Sequence, residues 1–207
     1  MNGGLRVTVC LLAAFACAPE QARALDLSHE IAQMYALKDT PPPSAQQMTI
    51  CYGFVCRLRA ILHFTPADRA ELGGLLARGR ATPEAERRAV AEAVRWFDRR
   101  AGRMVGTSRR VPRADFRSGD DDHNFDCFDT TRNIVSLLLV LNEWKLLRHH
   151  TVDDPSFRGN LLKGQTPHNT AVLKERRSGR QWVVDMWTTA YGQLPDVMPL
   201  ETWVMLD

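Results

Sequence analysis

One apolar segment limits the folds open to this chain more than any other feature. Residues 128–147 contain the run IVSLLLVLNEW, which would be apolar on nearly every side of a helix. Such a helix is stable in water only when other elements cover it all round, so we expect it at the centre of the fold. The chain of 207 residues is long enough for one domain built around it.

The first residues have the pattern of an export signal. An apolar stretch of 12 residues at 7–18 follows a basic residue, and Ala22-Arg23-Ala24 offers the small residues that signal peptidase requires. The stretch is too short to span the ~30 Å core of a bilayer. We therefore predict a Sec-type signal peptide at residues 1–24, cleaved after Ala24 or alternatively after Ala18, and a periplasmic or exported mature chain without a transmembrane segment. A lipoprotein anchored at Cys17 and a buried N-terminal helix are the alternatives.

Shorter patterns predict the elements that follow. Thr65-Pro66 and Thr82-Pro83 each place an N-cap threonine before a proline, which is typical of a helix start. Helical and alternating spacings predict an early helix and several strands. The helix covers residues 27–37, and the strands cover residues 55–64, 168–174 and 180–185, with another near 149–152 before a loop at 153–167. Three consecutive prolines at 41–43 follow the early helix and cannot continue it. We therefore divide the chain into a helix with a proline-rich linker, 25–48, and a single domain, 49–207.

Three cysteines remain once that leader is removed, an odd number for an oxidising compartment. Cys51 and Cys56 have Gly53 between them for a tight turn, and we predict that they form a disulfide. They could instead be metal ligands, although no second pair with zinc-like spacing accompanies them. A redox role is a weaker alternative because their CxxxxC spacing differs from CxxC. Cys127 is then an unpaired thiol.

Cys127 lies where the predicted central helix begins. A helix N-terminus with a nearby imidazolium lowers the pKa of a cysteine from ~8.5 to ~4–7, so we expect an activated thiolate. The free backbone N–H groups at the same helix end can hold a developing oxyanion.

His168 and Asp185 belong to a predicted hairpin. Pairing Lys174 with Gly179 would set His168 directly opposite Asp185 on one face of the sheet, with Cβ atoms ~5 Å apart. A carboxylate in that position can orient the imidazole and fix its tautomer, so that the ring can accept a thiol proton. A slip of one residue would put the two side chains on opposite faces.

The run DCFDTTRNIVSLLLVL, followed by HNTAVL and WVVDMW, resembles the transglutaminase-like branch of the papain-like cysteine peptidases. The resemblance covers residues 115–190, and PHNTAV and VVDMW also resemble a group of exported proteobacterial proteins with no assigned substrate. It implies an α+β fold in which a buried Cys-bearing helix packs on an antiparallel β-sheet, within a transglutaminase-like domain. It also implies an acyl-enzyme mechanism with Cys127 as nucleophile, His168 as base and acid, and Asp185 as the orienting carboxylate.

One feature departs from that family. Papain-like peptidases often carry a glutamine shortly before the cysteine as an oxyanion donor, and residues 48–126 contain none. The backbone N–H of the cysteine then needs a second donor, for which the candidates are Trp96 and Asn124. Trp187 and Thr188, which follow the aspartate, are expected to line the cleft.

Acidic residues cluster beside the cysteine at Asp120, Asp121, Asp122, Asp126 and Asp129. Some exported transglutaminase-like proteinases bind calcium near their cysteine, so the resemblance implies a calcium site with Asp126 and Asp129 as ligands. The spacing matches no EF-hand loop. Alternatively, one of the two carboxylates caps the helix and no cofactor is required.

Residues 76–113 hold eleven arginines against four acids. This segment is either a solvated helix face or a surface that docks an anionic partner such as cell-wall polymer or lipid headgroups. The net charge of +3 is too small to imply nucleic acid, and an export signal argues against it. We therefore expect a monomeric, exported thiol hydrolase acting on a peptide or protein of the cell envelope. The alternative is a non-catalytic envelope-binding module that would lose activity on charge reversal at Arg87 and Arg88.

Overall fold

The structure is a computed structural model of the chain, and it describes residues 25–160, 162 and 164–206. Residues 1–24 lie outside that part, so the signal peptide and its cleavage sites stay predictions. Within the described ranges, no helix is both long and apolar enough to cross a membrane.

Five α-helices and six β-strands form in the described part of the chain. The helices are α1 (His29–Ala36), α2 (Pro66–Ala77), α3 (Pro83–Val105), α4 (Cys127–Glu143) and α5 (Leu200–Trp203). The strands are β1 (Gln47–Tyr52), β2 (Leu58–His63), β3 (His150–Arg158), β4 (His168–Glu175), β5 (Gln181–Asp185) and β6 (Asp196–Pro199). β1 and β2 form one antiparallel sheet, and β3 to β6 form a second in sequence order. The chain therefore belongs to the predicted α+β class.

α4 is the buried central helix that the sequence predicts. Every residue from Asp129 to Leu141 is buried, and the helix packs against β4 and β1. α1 covers it further, since the Tyr35 hydroxyl hydrogen-bonds the Ser136 hydroxyl at 2.8 Å. α1 therefore contributes to the same core as the rest of the chain, and β1 already begins inside the segment predicted as helix and linker.

The predicted helix starts are observed. Thr65 accepts a hydrogen bond from the N–H of Asp68 at 3.1 Å, and Thr82 accepts one from the N–H of Ala85 at 3.1 Å. β3, in contrast, extends to Arg158 and takes up the first part of the predicted loop at 153–167. Its pairing with β4 is irregular between residues 153 and 156, around a proline that cannot donate to the ladder.

The register of the β4–β5 hairpin differs from the predicted one. Lys174 pairs with Gln181 instead of Gly179, because a longer turn closes the hairpin and the Glu175 N–H donates to the Arg180 carbonyl at 2.8 Å. A shift of two residues leaves every side chain on its original face. His168 and Asp185 are consequently diagonal neighbours on one face instead of direct opposites.

Candidate active site

Cys127 lines a cavity of about 460 Å³ at the start of α4. Cys127 is the first residue of the helix, and its side chain is partly exposed. The cavity walls are mainly apolar, and they include Phe54, Val55, Ala114, Phe128, Pro167 and Trp187. A ligand can therefore reach the thiol, which is not walled off inside the core.

His168 and Asp185 form a buried pair on the adjacent sheet. Nε2 of His168 lies 2.6 Å from Oδ2 of Asp185, which also accepts the indole N–H of Trp203 at 3.0 Å. The other oxygen accepts the backbone N–H of Trp187 at 3.2 Å. A carboxylate that accepts two other hydrogen bonds acts as the acceptor for Nε2–H as well, so we assign the proton of the neutral ring to Nε2.

The other ring nitrogen of His168 is left as a base. Nδ1 is buried and has no hydrogen-bond partner within the described residues. A buried polar atom without a partner is costly and calls for an explanation, and a role in catalysis is one such explanation. With the proton on Nε2, Nδ1 carries a lone pair that can accept a proton.

Several contacts bring the thiol and the imidazole to the same place. The Cys127 sulfur receives a hydrogen bond from the backbone N–H of Asn169, the residue after His168. One turn into α4, the Thr131 hydroxyl donates to the Asn169 carbonyl at 2.9 Å. Trp187 lines the thiol cavity, and its ring lies 4.4 Å from the His168 ring. Among the described residues no hydrogen bond joins the sulfur to the imidazole, so proton transfer requires a side-chain movement that brings the two together.

The prediction of an activated thiolate at Cys127 is wrong for this structure. Burial raises the pKa of the Cys127 thiol to about 11, and the charges of Asp126 and Asp185 raise it further, against the opposing effect of the Asn169 N–H. The helix N-terminus does not outweigh burial, and the Asp126 carboxylate that caps it adds to the rise in the Cys127 pKa. The thiol is therefore neutral near pH 7 and needs a base to become a nucleophile.

The predicted oxyanion and cleft residues have different positions. Trp96 lines a separate groove with Glu71 and Glu92, and it does not border the thiol cavity. Asn124 is buried in the preceding loop, where its amide donates to an aspartate and accepts from a backbone N–H. Thr188 donates to Asp196 at 2.7 Å and also stays outside the cavity wall.

Trp187 is the member of that set that reaches the cleft. Its indole N–H donates to the Ala114 carbonyl at 2.9 Å, which fixes the ring between the thiol cavity and His168. Trp203 holds Asp185, a role that the sequence does not signal because α5 lies far along the chain.

Asp126 and Asp129 bind the disulfide loop. Cys51 and Cys56 form the predicted disulfide, and Phe54, Val55 and Cys56 have φ values of 68°, 51° and 56°. Successive left-handed residues point their N–H groups into one concavity, which favours anions. The N–H groups of Phe54 and Cys56 donate to Asp129 at 2.9 and 2.6 Å. That of Val55 donates to Asp126 at 2.8 Å.

These contacts do not fit the calcium prediction. Asp126 also accepts the N–H of Asp129 at 2.7 Å, so each of the four carboxylate oxygens already has a backbone donor. Across the described ranges, no group of three or more His, Cys, Asp or Glu side chains could hold a metal ion. The alternative reading, in which Asp126 caps the helix, is observed.

We expect chelation to leave this region intact. Treatment with EDTA, compared with added calcium, should give the same melting temperature and the same rate of thiol labelling, because N–H donors already satisfy Asp126 and Asp129. Calorimetry and labelling kinetics on one preparation provide both measurements. A calcium-dependent rise of the melting temperature would contradict this reading.

The arginine-rich segment is less of a free surface than its composition suggests. Arg87 is buried, donates to Glu175 at 3.0 Å and lies over the Trp182 ring. Arg110 is buried in a two-bond pair with Asp98, at 2.8 and 3.0 Å. Charge reversal at Arg87 would therefore disturb the core, so it cannot test docking.

Comparisons with protein-family models, with curated proteins and with solved structures found no match.

Proposed function

We propose that this chain is an exported thiol hydrolase of transglutaminase-like type, which cleaves peptide or amide bonds through an acyl-enzyme on Cys127. One observation carries the proposal. The buried His168 ring is held through Nε2 by Asp185, its Nδ1 has no partner among the described residues, and the next residue, Asn169, is hydrogen-bonded to the cysteine helix through Thr131.

The geometry supports the following sequence of steps. Nδ1 of His168 takes the Cys127 proton while the sulfur attacks the carbonyl carbon, because the thiol is neutral at rest. The negative oxygen that forms can accept a hydrogen bond from the backbone N–H of Cys127, since the Asp126 cap already takes the N–H of Asp129. The imidazolium then protonates the leaving amine, and the C–N bond breaks.

A second half-reaction restores the enzyme. A water molecule attacks the thioester while Nδ1 takes a proton from that water. The protonated ring then returns the proton to the departing thiolate. Asp185 stabilises the imidazolium in both halves without being protonated. We propose water as the acceptor and a peptide or protein of the cell envelope as the substrate.

The test measures the alkylation rate of Cys127 by iodoacetamide as a function of pH. Near neutral pH, wild type should be alkylated more than about tenfold faster than His168→Ala. In that variant the thiol keeps the pKa of about 11 that burial imposes. Its alkylation rate should therefore keep rising with pH until the pH reaches about 11.

Two controls define the readout. In the chain without residues 1–24, Cys127→Ala should not be labelled, because Cys51 and Cys56 are joined to each other. His123→Ala removes an exposed histidine and should label like wild type. Identical pH profiles for wild type and His168→Ala would overturn the proposal.

A further inference from the structure

A second, smaller pocket of about 180 Å³ lies beside His168. It shares Asp115, Thr166 and Trp187 with the thiol cavity, so the two spaces adjoin. The two differ in chemistry. The thiol cavity is mainly apolar, whereas the wall of the smaller pocket carries three guanidinium groups and one carboxylate, from Arg113, Arg117, Arg158 and Asp115.

These charges do not cancel within the pocket. Arg117 is paired with Asp115, donating at 2.6 Å to Oδ2 and 3.1 Å to Oδ1. Arg158 donates to the carbonyls of Trp203 and Leu206, both at 2.8 Å. Arg113 therefore brings a positive charge next to the catalytic imidazole that no carboxylate of the described residues pairs with.

Arg113 is the arginine best placed to serve a ligand. Its side chain is exposed, and within the described residues its guanidinium makes no ion pair or hydrogen bond. Its backbone is fixed, because its N–H donates to the Trp187 carbonyl at 2.7 Å. A guanidinium on an anchored backbone is a suitable partner for a planar carboxylate.

The proposed chemistry determines which part of the substrate enters this pocket. His168 gives its proton to the leaving amine, so the leaving group lies on the imidazole side of the sulfur. The pocket beside His168 is on that side. The apolar cavity beside Cys127 then receives the acyl part.

We propose that this pocket binds a free carboxylate on the leaving group, with Arg113 as its principal partner. The substrate class is an amide that joins an apolar acyl group to an amino acid or peptide carrying a carboxylate near the scissile bond. When the C–N bond breaks, the amine leaves with the proton from His168 and its carboxylate unchanged. This inference rests on the proposed function.

Three bromoacetyl probes test it at Cys127, whose sulfur displaces their bromide. Bromoacetyl-glutamine has a free α-carboxylate, and its isomer bromoacetyl-glutamic acid α-amide has a free side-chain carboxylate. Bromoacetyl-glutamine amide is the neutral reference. Rates are divided by those of a small free thiol, which removes intrinsic differences in reactivity.

We expect at least one acidic probe to react roughly fivefold faster than the neutral one, and the faster isomer identifies the source of the carboxylate. Arg113→Gln should remove this preference, and Arg113→Lys should keep part of it. Arg177→Gln, an equal loss of charge in the exposed β4–β5 turn, should behave like wild type. Added salt should weaken the preference.

Two results would overturn the inference: equal rates for acidic and neutral probes in wild type, or an acid preference that survives in Arg113→Gln. Failure of the hydrolase proposal has a different signature. In that case the neutral probe would react equally fast in wild type and His168→Ala, whatever the ratio of acidic to neutral rates.

Discussion

Replacing Asp185 with alanine is expected to lower the rate of acyl transfer to Cys127 by roughly 10²–10⁴-fold, the range that general acid–base catalysis contributes. Without the carboxylate, nothing holds the proton of His168 on Nε2, and the imidazolium loses its counter-charge. The release of nitrophenolate from p-nitrophenyl acetate measures this step without knowledge of the natural substrate.

Asp185→Asn provides a graded comparison. An amide oxygen at the Oδ2 position can still accept from His168 Nε2 and from the Trp203 indole, and only the longer bond from the Trp187 N–H is lost. We therefore expect this variant to retain more activity than Asp185→Ala. Asp185→Asn also serves as a control for misfolding, because Asp185→Ala would leave the buried Trp203 N–H without an acceptor. Wild-type rates in both variants would show that Asp185 does not orient the base.

Replacing Glu86 with alanine is expected to lower the free energy of unfolding by several kcal/mol, because each buried donor left without an acceptor costs about 1–3 kcal/mol. Glu86 of α3 is almost fully buried, and it accepts a hydrogen bond from Nδ1 of His150 at 2.8 Å. It also accepts the backbone N–H groups of Arg148, His149 and His150. Removing it would leave these donors at the start of β3 without an acceptor.

The pH dependence of this effect has a definite sign. Burial alone would raise the pKa of Glu86, but hydrogen bonds from His150 and the N–H groups of Arg148 and His149 hold it below its usual range. The charged form is therefore favoured more in the folded state than in the unfolded chain. Its contribution is present above the unfolded pKa of ~4.3 and is lost as the pH falls through the folded pKa.

Denaturant unfolding from pH 3 to 7 measures both effects. The stability difference between wild type and Glu86→Gln should be largest near neutral pH and shrink in acid. Glu92→Ala is the matched control on α3, because its half-buried pair with Arg95 is expected to contribute less than about 1 kcal/mol. A loss in Glu86→Ala no greater than in Glu92→Ala would contradict the argument.

Local patterns were sufficient to predict several elements. The unbroken apolar run required a buried helix, and α4 is that helix. The threonine–proline pairs predicted the starts of α2 and α3, since a cap needs only side chains one turn apart. The close spacing of Cys51 and Cys56 indicated their disulfide for the same reason. β6 and α5 carry no comparable local pattern.

Part of the candidate site could be predicted from the sequence. The alternation along β4 and β5 put His168 and Asp185 on one face, and this survived a wrong register because the error was two residues. The pKa of Cys127 could not be predicted, because burial and the charges of Asp126 and Asp185 are properties of the packed structure.

The sequence alone determined which segments become helix or strand and which residue types are available for chemistry, because these follow from spacing and local hydrogen bonding. Only the tertiary structure decided the partners of the charged side chains. It gave Asp126 and Asp129 the N–H groups of the disulfide loop, placed Arg87 in the core, and left Nδ1 of His168 without a partner in the described part of the chain. Charges act over distance and through burial, and segments far apart in the chain set both.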